Sequence, residues 1–177
     1  MKNLARLSKA TTLLVLVGSV LAWSAPACAS TQIERAWWGV VSFVVDGDTV
    51  RVRPAAGGKP LSIRVDGIDA PEICQPGGAE SRAALMRRAL GQRVAVHGKR
   101  DDVYGRQLAR LVLNGDDLGE WMVTQGLAWS YHYRGDPGPY ALQQERAQAA
   151  RLGLFSPAYG ERPVYPRVFR KQHGSCY

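Results

Sequence analysis

Hydrophobic and polar residues alternate along the first half of the chain with the two-residue period of half-buried β-strands. Residues 40–45 form a β-branched run, and residues 49–53 and 61–66 alternate apolar with polar side chains. Turn-forming residues separate these runs at positions 46–48 and 54–60. Three strands joined by short loops predict a β-meander.

The second half mixes helical and strand patterns. Residues 79–90 have helical spacing, with an apolar stripe at Ala79, Ala83, Met86 and Leu90. Further strands are predicted near residues 94–96 and 108–113, and further helices over residues 117–125, capped by Asp117, and 139–153. After Pro157 the chain reads as irregular and basic. The pattern predicts an α+β, mainly β fold: a five-stranded OB-fold Greek-key barrel with about three helices.

Residues 1–29 have the order of a secretory signal peptide. Three basic residues precede an apolar run at 13–23, and small residues follow with cleavage positions after Ala27 or Ala29. An uncleaved anchor and a lipoprotein at Cys28 are the alternatives. The expected product is exported to the periplasm or medium and has no stable membrane span.

The length and the charge of the chain limit the number of domains and the kinds of partner that we expect. The 177 residues suit one domain, which we place at residues 37–157 after a short segment at 30–36 and before a basic tail at 158–177. The formal charge of +8 falls by three on signal cleavage, and the remainder stays basic. A basic surface favours polyanions such as nucleic acid, and we expect a monomer.

Cysteine use fits an oxidising compartment. Cleavage after Ala29 removes Cys28 and leaves Cys74 and Cys176. Two cysteines in an exported chain usually pair, so a bridge between them is predicted. It would tie the C-terminal tail to the loop after Glu72.

Two short acidic segments are candidates for a hard cation. Asp46 and Asp48 flank Gly47, and Asp69 and Glu72 follow a predicted strand. Carboxylates on turns suit Ca²⁺, which takes oxygen ligands in irregular geometry. Either segment alone also reads as an ordinary turn. Zinc is not favoured, because the three histidines lack ligand spacing.

Four segments in order resemble the staphylococcal nuclease-like (thermonuclease) family. They are residues 45–50, 64–72, 102–109 and 125–128. The resemblance implies an OB-fold nuclease over about residues 38–157. It also implies a role for each matched position: Asp48, Asp69 and the Ala70 carbonyl for calcium; Arg64 and Arg106 for the phosphate; Glu72 for the attacking water; Tyr104 near the nucleotide; and Asp46 supporting the metal.

The residue types in that set are suited to the hydrolysis of a phosphodiester. Negative charge grows on the phosphoryl oxygens, and a divalent cation with planar guanidinium groups stabilises it. Tyr131 and Tyr133 alternate with polar residues and are candidates for stacking on bases, whereas Trp129 is expected in the core. The basic tail residues Arg162, Arg167, Arg170 and Lys171 could follow a phosphate backbone, or simply be solvated.

The leading hypothesis is an exported Ca²⁺-dependent endonuclease that acts on DNA and RNA and leaves 3′-phosphate ends. The alternative is a non-catalytic OB-fold domain that binds nucleic acid. The complete set of Asp48, Arg64, Asp69, Glu72 and Arg106 favours the enzyme. An adhesion domain with a structural calcium would explain the acids but not the two arginines.

Overall fold

The computed structural model describes residues 36–160, 163–174 and 176, with only the backbone described for Lys99. The predicted signal peptide, Cys28, Arg162 and all but the last residue of segment 30–36 lie outside the described residues. Within the described part of the chain, no helix is both long and apolar enough to cross a lipid bilayer.

Five strands close into the predicted barrel. They are β1 (Ala36–Val44), β2 (Thr49–Pro54), β3 (Leu61–Val65), β5 (Arg93–Asp101) and β6 (Gln107–Leu113). The sheet runs in the order β3-β2-β1-β5-β6, and a parallel pairing of β3 with β6 closes it. Short strands complete the set: β4 (Ile68–Asp69), which pairs with β8 (Trp129–Ser130), and β7 (Asp116–Asp117), which extends β6.

In the described part of the chain, four α-helices accompany the barrel, one more than predicted. They are α1 (Gly78–Ala89), α2 (Leu118–Thr124), α3 (Ala141–Ala149) and α4 (Pro166–His173), and 3₁₀ turns lie at Gly153–Phe155 and Pro157–Tyr159. Helix α4 occupies the tail that the sequence indicated as irregular. Helices and strands therefore take similar shares of an α+β fold.

The core fills the barrel from the alternating positions of its strands. Val50, Val52, Ile63 and Val65 are buried, and the intervening arginines of β2 are exposed, as the alternation predicts. One helix differs from prediction. The buried side of α1 is formed by Ser81, Ala84, Leu85 and Ala89, because the helix packs the face next to the predicted apolar stripe against β1.

Helix α2 begins where the sequence placed its cap. The Asp117 carboxylate accepts hydrogen bonds from the backbone N–H groups of Gly119 (2.8 Å) and Glu120 (3.3 Å). Its other oxygen accepts the Tyr140 hydroxyl at 3.0 Å, just before α3. One carboxylate therefore satisfies the first turn of α2 and joins that helix to the next.

Candidate active site

The turn between β1 and β2 brings Asp48 to the segment that follows β3. Gly47 allows this approach, because a Cβ there would lie 2.6 Å from the Cβ of Ala70. Asp48 Oδ2 accepts the Ala70 N–H at 2.7 Å, and Asp48 Oδ1 accepts the Thr49 hydroxyl at 3.0 Å. The side chain is thus fixed by hydrogen bonds before any ligand binds.

Asp46 lies at the start of the same turn. Its Oδ1 accepts the backbone N–H of Asp48 at 3.0 Å, which closes the turn. Burial raises the pKa of the Asp46 carboxyl to about 7, and the neighbouring charge of Asp48 acts in the same direction. Asp46 therefore supports the turn next to the site.

Arg64 joins the two predicted calcium carboxylates. It points away from the buried Ile63 and Val65 of β3, and its Nη1 lies 2.6 Å from Asp48 Oδ2. Its Nη2 donates to Asp69 Oδ1 at 3.1 Å. Burial disfavours the guanidinium charge, but the two carboxylates outweigh it and raise the pKa of Arg64. Burial also raises the pKa of the fully buried Asp69, although Arg64 opposes this rise.

Arg106 reaches the same place from the hairpin between β5 and β6. Asp102 builds that hairpin, since its Oδ1 accepts the N–H groups of Tyr104 and Arg106, both at 2.9 Å. Its Oδ2 accepts the Arg106 Nε at 2.8 Å, so the same carboxylate orients the guanidinium. Arg106 Nη1 extends towards the Thr49 hydroxyl at 3.5 Å, and the Tyr104 ring lies 5.3 Å from the Arg106 guanidinium carbon.

A third arginine enters the site from helix α4. Arg170 Nη1 donates to Glu72 Oε1 at 2.6 Å, and Arg170 Nη2 lies 3.2 Å from Asp69 Oδ2. These carboxylates raise the pKa of Arg170 against the opposing effect of burial. The sequence placed Arg170 in a basic tail. The signal for its position was the predicted disulfide, which tied that tail to the loop after Glu72.

That disulfide is present. Cys74 and Cys176 are bonded, with 5.9 Å between their Cα atoms. The Gln75 side chain donates to the Val164 carbonyl at 2.6 Å, so the loop after Glu72 also holds the residues before α4. Tyr165 packs edge-on against Trp129, whose ring is buried as predicted. Sequence reasoning missed Gln75 and Tyr165 because neither carries a recognisable spacing.

Residues from these segments line one cleft of about 460 Å³, and the fully buried Asp69 is joined to it through Arg64 and Arg170. Its lining residues are Asp46, Asp48, Arg64, Ala70, Pro71, Glu72, Tyr104, Arg106 and Arg170. The described carboxylates alternate with guanidinium groups in the order Asp48, Arg64, Asp69, Arg170, Glu72. A cleft of this charge pattern can hold an anion beside a cation.

Residues 62–157 match the family model described as "Staphylococcal nuclease homologue". The chain belongs to the staphylococcal nuclease family. A micrococcal nuclease of Shigella flexneri is 32% identical over 171 residues, covering 90% of this chain and 91% of that protein. An uncharacterized endonuclease of Haemophilus influenzae is 35% identical over 130 residues, covering 73% of this chain and 70% of the relative. An uncharacterized 38.1 kDa protein of Capnoides sempervirens is 36% identical over 101 residues, covering 57% of this chain and 30% of the relative.

Two residues that the family resemblance did not assign, Tyr131 and Tyr133, lie elsewhere. Both are exposed, and they line a second depression of about 630 Å³ together with Asp66, Gly67, Arg100, Asp136, Gly138 and Pro139. Neither tyrosine is among the residues that line the cleft at Arg64. Tyr104 does line that cleft and is 80% exposed. Of the three predicted substrate-binding tyrosines, the fold therefore brings only Tyr104 to the cleft of this staphylococcal nuclease family member.

Nucleases of this family generally use a metal ion, and the side chains at this site offer oxygen ligands. Among the described residues, no group of three His, Cys, Asp or Glu side chains forms a metal cluster. The oxygen donors there are the Asp48 and Asp69 carboxylates, both paired with Arg64, and the Ala70 N–H donates to Asp48. Carboxylate oxygens are the ligands that hard divalent cations take. Softer metals that select sulfur or imidazole have no such ligands among these donors.

Proposed function

We propose that this protein is an exported, Ca²⁺-dependent endonuclease that hydrolyses phosphodiester bonds of DNA and RNA and leaves 3′-phosphate ends. The observation that carries the proposal is the common cleft lined by Asp48, Arg64, Glu72 and Arg106, with the buried Asp69 paired to Arg64. Membership of the staphylococcal nuclease family supports the same chemistry.

Two arginines would bind the phosphate. Arg64 is fixed by two carboxylates and Arg106 by Asp102, so both guanidinium groups are oriented before substrate arrives. Planar guanidinium groups donate paired hydrogen bonds to phosphoryl oxygens, which a lysine cannot reproduce. Because the groups are already in place, little reorganisation is needed as charge develops in the transition state.

Asp48, Asp69 and the Ala70 carbonyl would hold the calcium ion, with Asp46 supporting the turn. Bound there, Ca²⁺ supplies positive charge to a phosphoryl oxygen. Glu72 would orient or deprotonate the attacking water, since its carboxylate lines the cleft at the end of the short segment from Asp69. Tyr104 would contact the nucleotide next to Arg106. Tyr131 and Tyr133 would contact the nucleic acid outside this cleft.

Export is part of the proposal. The Cys74–Cys176 bridge supports it, because disulfides persist in oxidising compartments and are rare in reducing ones. N-terminal sequencing of the protein recovered from periplasm and medium tests cleavage at the predicted site. An intact N-terminus in the cytoplasmic fraction would contradict export.

Degradation of single-stranded DNA by the mature protein, first with Ca²⁺ and then with EGTA, tests the activity. We expect cleavage that stops on chelation and resumes when Ca²⁺ is restored. Activity that persists in EGTA would remove calcium from the proposal. Binding of DNA without cleavage would instead favour a non-catalytic nucleic-acid-binding domain. End-group analysis of the products tests for 3′-phosphate.

A further inference from the structure

The segment after the nuclease domain contributes Arg170 to the lining of the cleft. We call its described residues, 163–174 and 176, the C-terminal arm. It is held at its start by the Gln75 hydrogen bond to Val164 and by the packing of Tyr165 on Trp129 and His132, with ring centroids 5.7 and 4.6 Å apart. The Cys74–Cys176 disulfide holds its end. Helix α4 is therefore fixed on both sides of Arg170.

Arg170 extends from this arm to the carboxylates of Asp69 and Glu72. Its side chain remains 37% exposed while it pairs with Glu72 and Asp69. Asp69 also pairs with Arg64, which it shares with Asp48, so Arg170 is not its only partner. The partly exposed guanidinium of Arg170 can therefore exchange a carboxylate for an anion that enters the cleft.

We propose that Arg170 is a third substrate-binding arginine, which exchanges Asp69 and Glu72 for a phosphate of the polynucleotide when substrate and a divalent cation bind. The inference rests on the proposed nuclease function. A cation that uses Asp69 competes with Arg170 for the same oxygens. Arg170 lines the same cleft as Arg64 and Arg106, so a phosphate bound in that cleft would lie near Arg170. The C-terminal arm thus couples the binding of the cation to the binding of the polynucleotide.

The coupling gives two opposite effects of one substitution. Arg170→Ala frees Asp69 and Glu72, so Ca²⁺ should bind more tightly when nucleic acid is not present. The same variant loses one charge-assisted contact to phosphate, so KM for single-stranded DNA should rise by about tenfold while kcat changes much less. A purely structural role for Arg170 would not move these two constants in these directions.

Isothermal titration with Ca²⁺ and steady-state cleavage of single-stranded DNA measure both effects on the full mature chain. Arg167→Ala is the matched control, because Arg167 is exposed on the same helix and does not line the cleft. It should leave both constants within twofold of the original protein. Arg170→Lys should restore part of the lost KM, since it keeps the charge without the paired donors.

The disulfide supplies an independent arm of the test. Cys74→Ser with Cys176→Ser should raise KM, because it releases the arm that presents Arg170. Adding Arg170→Ala to that pair should then change KM less than it does in the bridged protein. A thermal melt of each variant confirms that it is folded.

Binding of an uncleavable phosphorothioate oligonucleotide with Ca²⁺, followed by fluorescence anisotropy, separates this inference from the proposed function. If the original protein does not cleave DNA, the proposed function fails, and weaker oligonucleotide binding by Arg170→Ala still supports the role of Arg170. If Arg170→Ala binds Ca²⁺ and the oligonucleotide as the original protein does, the inference is overturned and the nuclease proposal stands. A lower KM in Arg170→Ala would also overturn it, because Arg170 would then only obstruct the cleft.

Discussion

Replacing Arg64 with alanine is expected to weaken both catalysis and folding. Arg64 lies 2.6 Å from an oxygen of Asp48 and 3.1 Å from one of Asp69, and its side chain is only 14% exposed. Removing it leaves two neighbouring carboxylates without their shared counter-charge. Breaking a buried pair in this way typically costs about 3–5 kcal/mol. Because Asp69 keeps Arg170, we expect the lower end, about 3 kcal/mol.

The kinetic effect has a different origin and a similar size. Arg64 would donate to the phosphoryl oxygens as charge grows, and loss of one such donor costs about 3 kcal/mol of transition-state stabilisation. That corresponds to roughly a hundredfold lower kcat. Arg64→Lys should recover only part of the rate, because the ammonium lacks the paired donors.

Two measurements separate these effects. Urea unfolding in EGTA and in Ca²⁺ gives the stability loss, which Ca²⁺ should partly reverse because the cation neutralises the carboxylates that have lost Arg64. Steady-state cleavage of single-stranded DNA at saturating Ca²⁺ gives the rate. Arg51→Ala on neighbouring β2 is the control, since Arg51 is exposed and lies outside the cleft lining. An Arg64→Ala enzyme that keeps more than a tenth of the original rate would refute the phosphate-binding role.

Three further predictions concern stability. The pKa of Asp46 is raised from 3.8 to about 7, so folding holds this proton more tightly, and stability should fall as pH rises through that window. For a partly exposed carboxyl we expect the free energy of unfolding to fall by about 2 kcal/mol between pH 4 and pH 8, measured by urea unfolding in EGTA. Asp46→Asn should lack this fall, and an equal fall in the variant would contradict the assignment. Reduction of the bridge, which spans a sequence separation of 102, should cost about 2–4 kcal/mol in urea unfolding, and a variant with serine at both cysteines should not respond to reductant. Asp117→Ala should cost about 2 kcal/mol by the same measurement, because the first turn of α2 and the Tyr140 hydroxyl lose their acceptor; Asp117→Asn should retain most of the stability.

Local patterns determined much of this protein. Alternation along residues 49–53 and 61–65 predicted strands whose apolar side faces the core, and the structure agrees except at the exposed Leu61. The Asp117 cap needed only the residue type and a following helical pattern. The cysteine pair was predicted because two thiols in an exported chain have one partner each. In all these cases the signal lies within a short stretch or in a simple count.

Tertiary structure decided how the site is assembled. Arg64 and Arg106 lie far apart in sequence, and they meet because β3 pairs in parallel with β6, which places Arg64 opposite Leu108. No spacing along the chain encodes that closure. Asp102 can orient the Arg106 guanidinium because the hairpin between β5 and β6 brings the two residues together, and the Asp102 carboxylate itself stabilises that hairpin.

The C-terminal arm is the clearest case of tertiary control. Helix α4 is short and its sequence is basic, so its local pattern resembles a solvated tail. Packing of Tyr165, the Gln75 hydrogen bond and the disulfide together hold the helix where Arg170 lines the cleft. The sequence determined that the tail lies near Glu72, and only the fold determined that Arg170 is the residue that reaches it. The physical reason is that a covalent bridge fixes where a segment lies, whereas the direction of one side chain depends on everything packed around its helix.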